Sequence, residues 1–412
     1  MSRSAVNVIG IGDDGCLGLS SRAFNCIQRS QILVGGERQL AFFPEFSGET
    51  LPLKKNLKET LLKLVPESGE KTITILASGD PLFYGIGSLI SKYFGHEHVS
   101  FIPHLSSIQL AFAAIGMSWQ DAKLDSVHGR PLRGLVNRLQ THHKIALLTD
   151  SDNSPQRIAH ELLHYSDQDW RATVCEDLAS PEQRIRHFTL QELADTCDIS
   201  PLNVFILQRP QAWQPAAVIP FHQDTEFAKR TPLNGLITKQ EIRLLSLAKL
   251  QLRPTSVMWD IGAGSGSIAI ESAKIARDGR VYAIECDPEG VAICEENCRV
   301  HRTDNVRVIQ GMAPDALMDL EAPDAVFIGG SKGQMESIIQ TVLAALQPGG
   351  RLVINAVTVD NVSETLRVCQ NLGISPELSL VQISRGKSLA KRYLKYEALN
   401  PIHIFSLEKP CS

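Results

Sequence analysis

The densest chemistry in the 412-residue chain lies in Asp260-Ile261-Gly262-Ala263-Gly264-Ser265-Gly266. An apolar run precedes it and an amphipathic stretch follows, so the segment reads as a strand turning tightly into a helix. Without Cβ atoms the backbone can come close to a ligand. The helix that follows starts with unpaired N–H groups and positive dipole density, a setting suited to an anionic group. About twenty residues on, where a nucleotide fold needs a ribose acceptor, the next strand-like run ends at Glu285. Its carboxylate can accept bonds from both ribose hydroxyls.

Two cofactors compete for such a loop. A dinucleotide site spaces its glycines G-x-G-x-x-G. Here the third glycine comes one place early, at Gly266, and Ser267 stands where it was due. An acidic Asp260 ahead of the loop suits S-adenosylmethionine better, with the methionine carboxylate at the helix N-terminus. Both cofactors carry a ribose, so Glu285 alone does not separate them.

The first half of the chain holds different loops. Val8-Ile9-Gly10-Ile11-Gly12 is a strand entering a small G-x-G turn. Ala77-Ser78-Gly79-Asp80-Pro81-Leu82-Phe83-Tyr84-Gly85 is more specific. Gly79 permits close backbone approach, Asp80 supplies a carboxylate, and Pro81 stops the strand and stiffens the turn. Pro103-His104-Leu105-Ser106-Ser107 then precedes a helix starting near Ile108, and Ser106 or Ser107 can cap it.

The elements that must hold these loops alternate short apolar runs with longer amphipathic stretches, the pattern of an α/β protein. Expected strands are Val6–Ile9, Thr72–Ala77, Ile145–Leu148 and Val204–Leu207, then Ser256–Ile261, Arg280–Ile284, Val306–Ile309, Ala325–Ile328 and Arg351–Ile354. Expected helices include Ser267–Ala276 and Pro288–His301. The length exceeds one ordinary core, and the Pro-, Ala- and Gln-rich run Gln208–Pro220 breaks the pattern. We therefore expect a domain over residues 1–210, a linker over 211–232 and a second domain over 233–412. A net charge of −4 supplies no general attraction for nucleic acid. There is no apolar run of membrane-spanning length, and Met1 to Asn7 lacks the basic-then-apolar pattern of a signal peptide. Nine scattered cysteines without disulfide-like spacing complete the expectation of a cytoplasmic protein.

From Leu233 onward the chain resembles the decarboxylating precorrin methyltransferase domain of cobalamin biosynthesis. The matching stretches are Ile237-Thr238-Lys239-Gln240-Glu241-Ile242-Arg243, Asp260 to Glu271, Val281 to Glu289, Gln310 to Leu317, Phe327 to Ser331 and Leu346 to Thr358. The resemblance implies cofactor contacts from Thr238, Asp260, Gly262, Ala263, Gly264, Ser265, Gly266 and Glu285, and a backbone contact near the adenine from Ala313. The loops of the first half resemble the tetrapyrrole methylase family, two αβα lobes with a cofactor cleft between them. That implies cofactor contacts from Ser78, Gly79, Asp80, Phe83, Ser106 and Ser107. His128-Gly129-Arg130 fits the corrin branch of this family, which implies Arg130 facing substrate carboxylates; the alternative is a solvated surface arginine. One loop departs from the family pattern G-x-G-P-G-D: Gly12 is followed by Asp13-Asp14-Gly15, without the proline.

In this order the two halves resemble the precorrin-6Y C(5,15)-methyltransferase (decarboxylating) family. The resemblance implies an α/β chain with an N-terminal two-lobed tetrapyrrole methylase fold and a C-terminal Rossmann-like class I methyltransferase fold. It implies S-adenosyl-L-methionine as cofactor, methylation at carbon 5 by the first domain, and methylation at carbon 15 with decarboxylation by the second. The expected partner is a small corrinoid, with no nucleic acid and no membrane, in a homo-oligomer. A polycarboxylate substrate calls for cations, and Arg385, Lys387, Lys391, Arg392 and Lys395 form a candidate patch, Arg385 the chosen contact. The competing picture is a solvated helical face.

Two further patterns read as packing. His160-Glu161-Leu162-Leu163-His164 matches the zinc-protease motif, yet three fixed positions in five arise easily by chance. Cys294, Cys298 and His301 share a helical face but follow the Glu285 strand, where a packing helix is due. No metal site is expected. An RNA or protein methyltransferase would share the second domain, but Ile328-Gly329-Gly330-Ser331 stands where an N-P-P-Y-type motif would lie. A cofactor-sensing module would have no use for two sets of cofactor loops.

Overall fold

The structure, a computed structural model, describes residues 6–53, 57–214, 221–229, 237–390 and 393–410. Parts of the expected linker, Leu233, Lys391 and Arg392 lie outside the described residues. The chain forms two compact units. The first comprises residues 1–131, 142–159 and 169–213; the second comprises 132–141, 160–168 and 214–412.

The first unit contains two five-stranded sheets. One is wholly parallel, ordered Glu49–Pro52, Ile32–Gly35, Ile73–Ser78, Val6–Ile11, Val99–Ile102. Its central strands are apolar on both faces because helices cover both, as parallel sheets require. Val8 and Ile75 belong to one core cluster and Ile9 and Leu76 to another. The other sheet is mixed, ordered Lys123–Ser126, Lys144–Leu148, Asn203–Gln208, Arg171–Glu176, Arg184–Thr189.

The second unit is built on a seven-stranded sheet, ordered Val306–Gln310, Arg280–Glu285, Val257–Ile261, Ala325–Ile328, Arg351–Ala356, Ile402–Glu408, Glu377–Val381. Only Ile402–Glu408 runs against its neighbours. Strand order reverses between Val257–Ile261 and Ala325–Ile328, and a crevice at the carboxyl ends opens at such a reversal. Along Val257–Ile261, Met258 enters one core cluster while Trp259 and Ile261 enter the other. Burial of each such side chain contributes about 1.5–3 kcal/mol. The two segments from earlier in the chain cluster here: the Asp304 carboxylate accepts the N–H groups of Val136 at 3.0 Å and Asn137 at 2.9 Å.

The expected strands and helices form, with ends shifted by one or two residues. The competing picture for the basic patch, a solvated helical face, does not hold: Ser384–Ala390 and Tyr393–Ala398 form an antiparallel two-stranded ribbon. In both strands charged and apolar residues are mixed and most are exposed, so no core face imposes a periodicity.

Arg243 ties the start of the second unit together. It is wholly buried and binds Asp224 at 2.7 Å and Glu271 at 3.0 Å, and donates to the Thr238 carbonyl at 2.7 Å and to the His222 carbonyl. Glu271 sits on the helix that follows the glycine loop, Ser267–Ile275. Removing one member of such a network leaves the others charged in a low dielectric, which costs about 3–5 kcal/mol. Arg243→Met should lower the unfolding free energy of the second unit by about that amount, read from urea unfolding followed by Trp259 fluorescence.

Candidate functional site

Each unit contains a cavity at the carboxyl ends of its parallel strands. The second unit's cavity encloses about 1030 Å³ and the first unit's about 720 Å³. Small-molecule sites span about 300–1,000 Å³, so the larger one has room for a second ligand beside a nucleoside.

In the second unit the glycine loop leaves strand Val257–Ile261 and folds under the neighbouring strand end. Gly262 has φ +74°, and a Cβ there would lie 2.9 Å from Gly330 N. Gly262 and Ala263 donate to Ile284 O at 2.9 and 3.0 Å. Glu285 accepts from Gly264 N at 2.8 Å and from Asp287 N at 2.9 Å. Each of its oxygens retains acceptor capacity toward the cavity it lines. Thr238, Gly262, Ala263, Gly264, Ser265, Glu285, Ala313 and Arg385 all line this cavity.

Two predicted contacts stand behind the loop instead. Asp260 is 1% exposed and accepts Ala269 N at 2.9 Å, fastening the helix start to the strand. Gly266 ends the turn at φ +76°, and a Cβ there would meet Cys294 Sγ at 2.4 Å. Both shape the loop from its buried side. Arg385 reaches the cavity wall, but its guanidinium is engaged: Nε donates to Glu241 at 2.9 Å and a terminal nitrogen to Asp224 at 2.9 Å. Burial alone would raise the Asp224 carboxyl; Arg243 and Arg385 outweigh it and hold the group below its ordinary range.

In the first unit three strand ends converge. A Cβ on Gly10 would lie 1.9 Å from Gly79 O, so strand Val6–Ile11 approaches the Ser78-Gly79-Asp80 turn closer than any side chain allows. Gly79 N donates to Ile11 O at 3.0 Å, and His104 N to Gly79 O at 3.2 Å. Asp80 accepts Leu82 N at 2.9 Å within its own turn. Ser106, not Ser107, caps helix Ser107–Ala114, with Gln109 closing a capping box. Ser78, Gly79, Asp80, Phe83, Ser106, Ser107 and Arg130 line the one cavity. Where the family proline is missing, Asp13 instead pairs with Arg38 at 3.1 Å, and both line the cavity. Asp150 accepts Gly129 N at 2.5 Å, and the Arg130 guanidinium stands 5.3 Å from the centre of the Tyr84 ring. Neither Asp150 nor Tyr84 was foreseeable, because Asp150 acts on a residue 21 places away and Tyr84 meets Arg130 across the fold from a separate loop.

The rejected motifs have structural settings. His160 and His164 lie on helix Pro155–His164, where Leu162 is buried. Cys298 bonding and burial push the Cys294 thiol up, and His301, packed on Phe227 at 4.6 Å, is pushed down to about 4 mainly by burial. Among the described residues no cluster of three or more His, Cys, Asp or Glu side chains is placed to hold a metal, and no helix is long and apolar enough to cross a membrane.

Fold and sites define a fusion of two methyltransferase domains. Residues 5–194 match the family described as Tetrapyrrole (Corrin/Porphyrin) Methylases, and residues 232–409 match the Precorrin methyltransferase domain. The chain is 35% identical over 358 residues to a Sinorhizobium protein named precorrin-6Y C(5,15)-methyltransferase [decarboxylating], spanning 86% of this chain and 85% of that one. A Mycobacterium tuberculosis protein of the same name is 32% identical over 374 residues, spanning 89% of this chain and 90% of its own length. A Salmonella typhimurium cobalt-precorrin-7 C(5)-methyltransferase is 37% identical over 180 residues, 44% of this chain and 88% of its own length. The chain therefore belongs to the precorrin-6Y C(5,15)-methyltransferase (decarboxylating) family, whose members depend on S-adenosylmethionine.

The residues present fit that cofactor. The Ser265 hydroxyl is buried at the cavity without a hydrogen-bond partner among the described residues, the glycine turn brings backbone to the surface, and Glu285 faces the same space.

Burial, opposed by the Ala269 N–H and aided by Glu285, raises Asp260 from 3.8 to about 7. The folded state then holds this proton more tightly than the unfolded chain. Its contribution is complete below the unfolded pKa and is lost as pH rises through about 7. Urea unfolding should show the second unit losing up to about 4 kcal/mol from this group between acid and neutral pH. Asp260→Asn, which keeps the bond to Ala269 N, should remove that slope; an unchanged slope would contradict the assignment.

Proposed function

We propose that the chain methylates precorrin-6B at carbons 5 and 15 and releases carbon dioxide from the acetate arm at carbon 12, giving precorrin-8. The first unit acts at carbon 5; the second acts at carbon 15 and hosts the decarboxylation. The observation that carries this reading is the presence of two separate cavities, each with its own glycine turn. A stand-alone relative named for carbon 5 alone, matching under half of the chain, supports the division.

S-adenosylmethionine supplies an electrophilic methyl group when bound. Residues Thr238, Gly262 to Ser265, Glu285 and Ala313 would hold it in the second unit; Ser78, Gly79, Asp80, Phe83, Ser106 and Ser107 would hold it in the first. Asp260 and Gly266 support the second unit's loop from behind. The remaining work is orientation and exclusion of water, because in-line displacement at a carbon needs the two reacting atoms aligned rather than a protein nucleophile. Reduced tetrapyrroles are electron-rich at their meso carbons and attack directly. In the decarboxylation the bond between the acetate methylene and its carboxyl breaks, the electron pair passes into the macrocycle, and a proton is taken up. In the first unit Arg130 would meet a substrate carboxylate, a role its position over the Tyr84 ring at the cavity supports.

We also propose that the chain works as a homo-oligomer in the cytoplasm. Leu394 and Tyr396, on the ribbon, are 80% and 83% exposed beside Leu389 and Tyr393, an apolar group of the kind that association covers. The eight described cysteines are free. Leu394→Glu with Tyr396→Glu should reduce the sedimentation coefficient to that of a monomer.

Incubation with precorrin-6B and S-adenosylmethionine, followed by mass spectrometry, should show two added methyl groups and loss of carbon dioxide. Gly262→Val, which forces a side chain against Gly330, should abolish carbon-15 methylation and leave cofactor binding by the first unit. Gly79→Val should abolish carbon-5 methylation alone. Loss of both reactions in either variant would contradict the division.

A further inference from the structure

Among the described residues five cationic side chains line the second unit's cavity: Lys229, Lys239, Lys332, Arg385 and Lys387. Two already have acidic partners. Arg385 is held by Glu241 and Asp224, and Lys387 lies 3.1 Å from both oxygens of Glu397. Among the described residues the other three have no ion pair. An anionic ligand therefore meets the lysines at lower cost than it meets Arg385, whose recruitment would strip two carboxylates of their partner.

Lys332 is set apart by its backbone. It has φ +51°, a left-handed conformation that disfavours a residue with a Cβ, and lysine lacks the short polar side chain that eases it for asparagine. Glycines surround it, at Gly329, Gly330 and Gly333. A glycine at 332 would remove the strain, so local geometry alone does not call for lysine. The loop is also anchored. Gly329 N donates to Ile261 O at 2.9 Å, and Gln334 N closes a turn on Ser331 O at 2.9 Å. Gly330 packs so closely on Gly262 that a Cβ at 262 would lie 2.9 Å from its nitrogen. Lys332 thus sits two residues beyond the backbone that buttresses the glycine turn, in fixed register with it.

We propose that Lys332 is a specificity-determining residue of the second unit, binding a carboxylate of the polyanionic tetrapyrrole and so setting the macrocycle's register over the glycine turn. This rests on the function proposed above. The carboxylate it binds is not the one lost as carbon dioxide. Electrons leave that carboxylate for the ring, and a cation bound there would hold them back. Lys332 binds a group unchanged by the reaction, so its contribution is uniform binding, which appears in KM rather than kcat.

The test is steady-state kinetics of carbon-15 methylation and carbon dioxide release by the full chain with precorrin-6B, at two salt concentrations. Lys332→Gly should raise KM about tenfold, the scale of a lost charge-assisted hydrogen bond, and flatten its dependence on salt. The melting temperature should hold or rise as strain is relieved, and the Kd for S-adenosylhomocysteine should stay unchanged. Lys332→Arg should restore KM and its salt dependence; Lys332→Glu should raise KM further. An unchanged KM and salt dependence in Lys332→Gly, or an arginine variant that behaves like the glycine one, would overturn the proposal. Failure of the wild-type chain to turn over precorrin-6B, with S-adenosylhomocysteine still bound, would instead overturn the functional reading and the ligand class with it.

Discussion

Both sites depend on the same constraint: at the carboxyl ends of adjacent parallel strands two backbone segments come closer than a Cβ permits. In the first unit Gly10 faces the Gly79 carbonyl; in the second Gly262 faces the Gly330 amide. Such contacts pull the strand ends together and turn backbone N–H groups and helix starts toward one crevice. Parallel sheets with short strand-to-helix turns place their ligands there. The two units share this solution although their sheets differ in strand order, so the similarity lies in the constraint and not in the topology.

Buried charge is the second organising element, and most of it serves architecture. Asp224 sits between Arg243 and Arg385, joining the segment before helix Gln240–Leu250 to the base of the ribbon. In the first unit the wholly buried Glu176 receives Arg184 at 2.8 Å and Arg186 at 2.8 Å, holding the antiparallel edge. Where the usual proline turn is absent, Asp13 and Arg38 form an ion pair beside the cavity. A cation near a cavity is therefore not by itself a substrate contact. Its pairing decides whether it is free to meet an anion.

Much of the architecture was legible because it is locally encoded. Strands such as Ala325–Ile328 and Ile73–Ser78 are covered on both faces, which demands continuous apolar runs. The glycine turns were legible because positive φ and close approach leave little choice of residue. Some elements escaped notice for want of such a demand, although the wholly buried strand Ile32–Gly35 was missed as well. The pair Arg171–Glu176 and Arg184–Thr189 is patterned by ion pairs rather than by an apolar face, and the ribbon has most of both its faces in solvent.

By itself the sequence determined the two-domain α/β plan, the glycine turns, the carboxylate of Glu285 proposed as ribose acceptor and the cofactor class they imply, since each follows from short-range backbone geometry and residue chemistry. Tertiary structure decided which of those residues line the cavity. Asp260 belongs to the loop motif, yet the helix packed behind it turns its carboxylate inward to Ala269. Arg385 looked like a substrate contact until the fold brought Glu241 and Asp224, 144 and 161 residues away in the chain, against its guanidinium. Exposure and pairing are set by contacts between distant segments, and residue type and spacing do not carry that information.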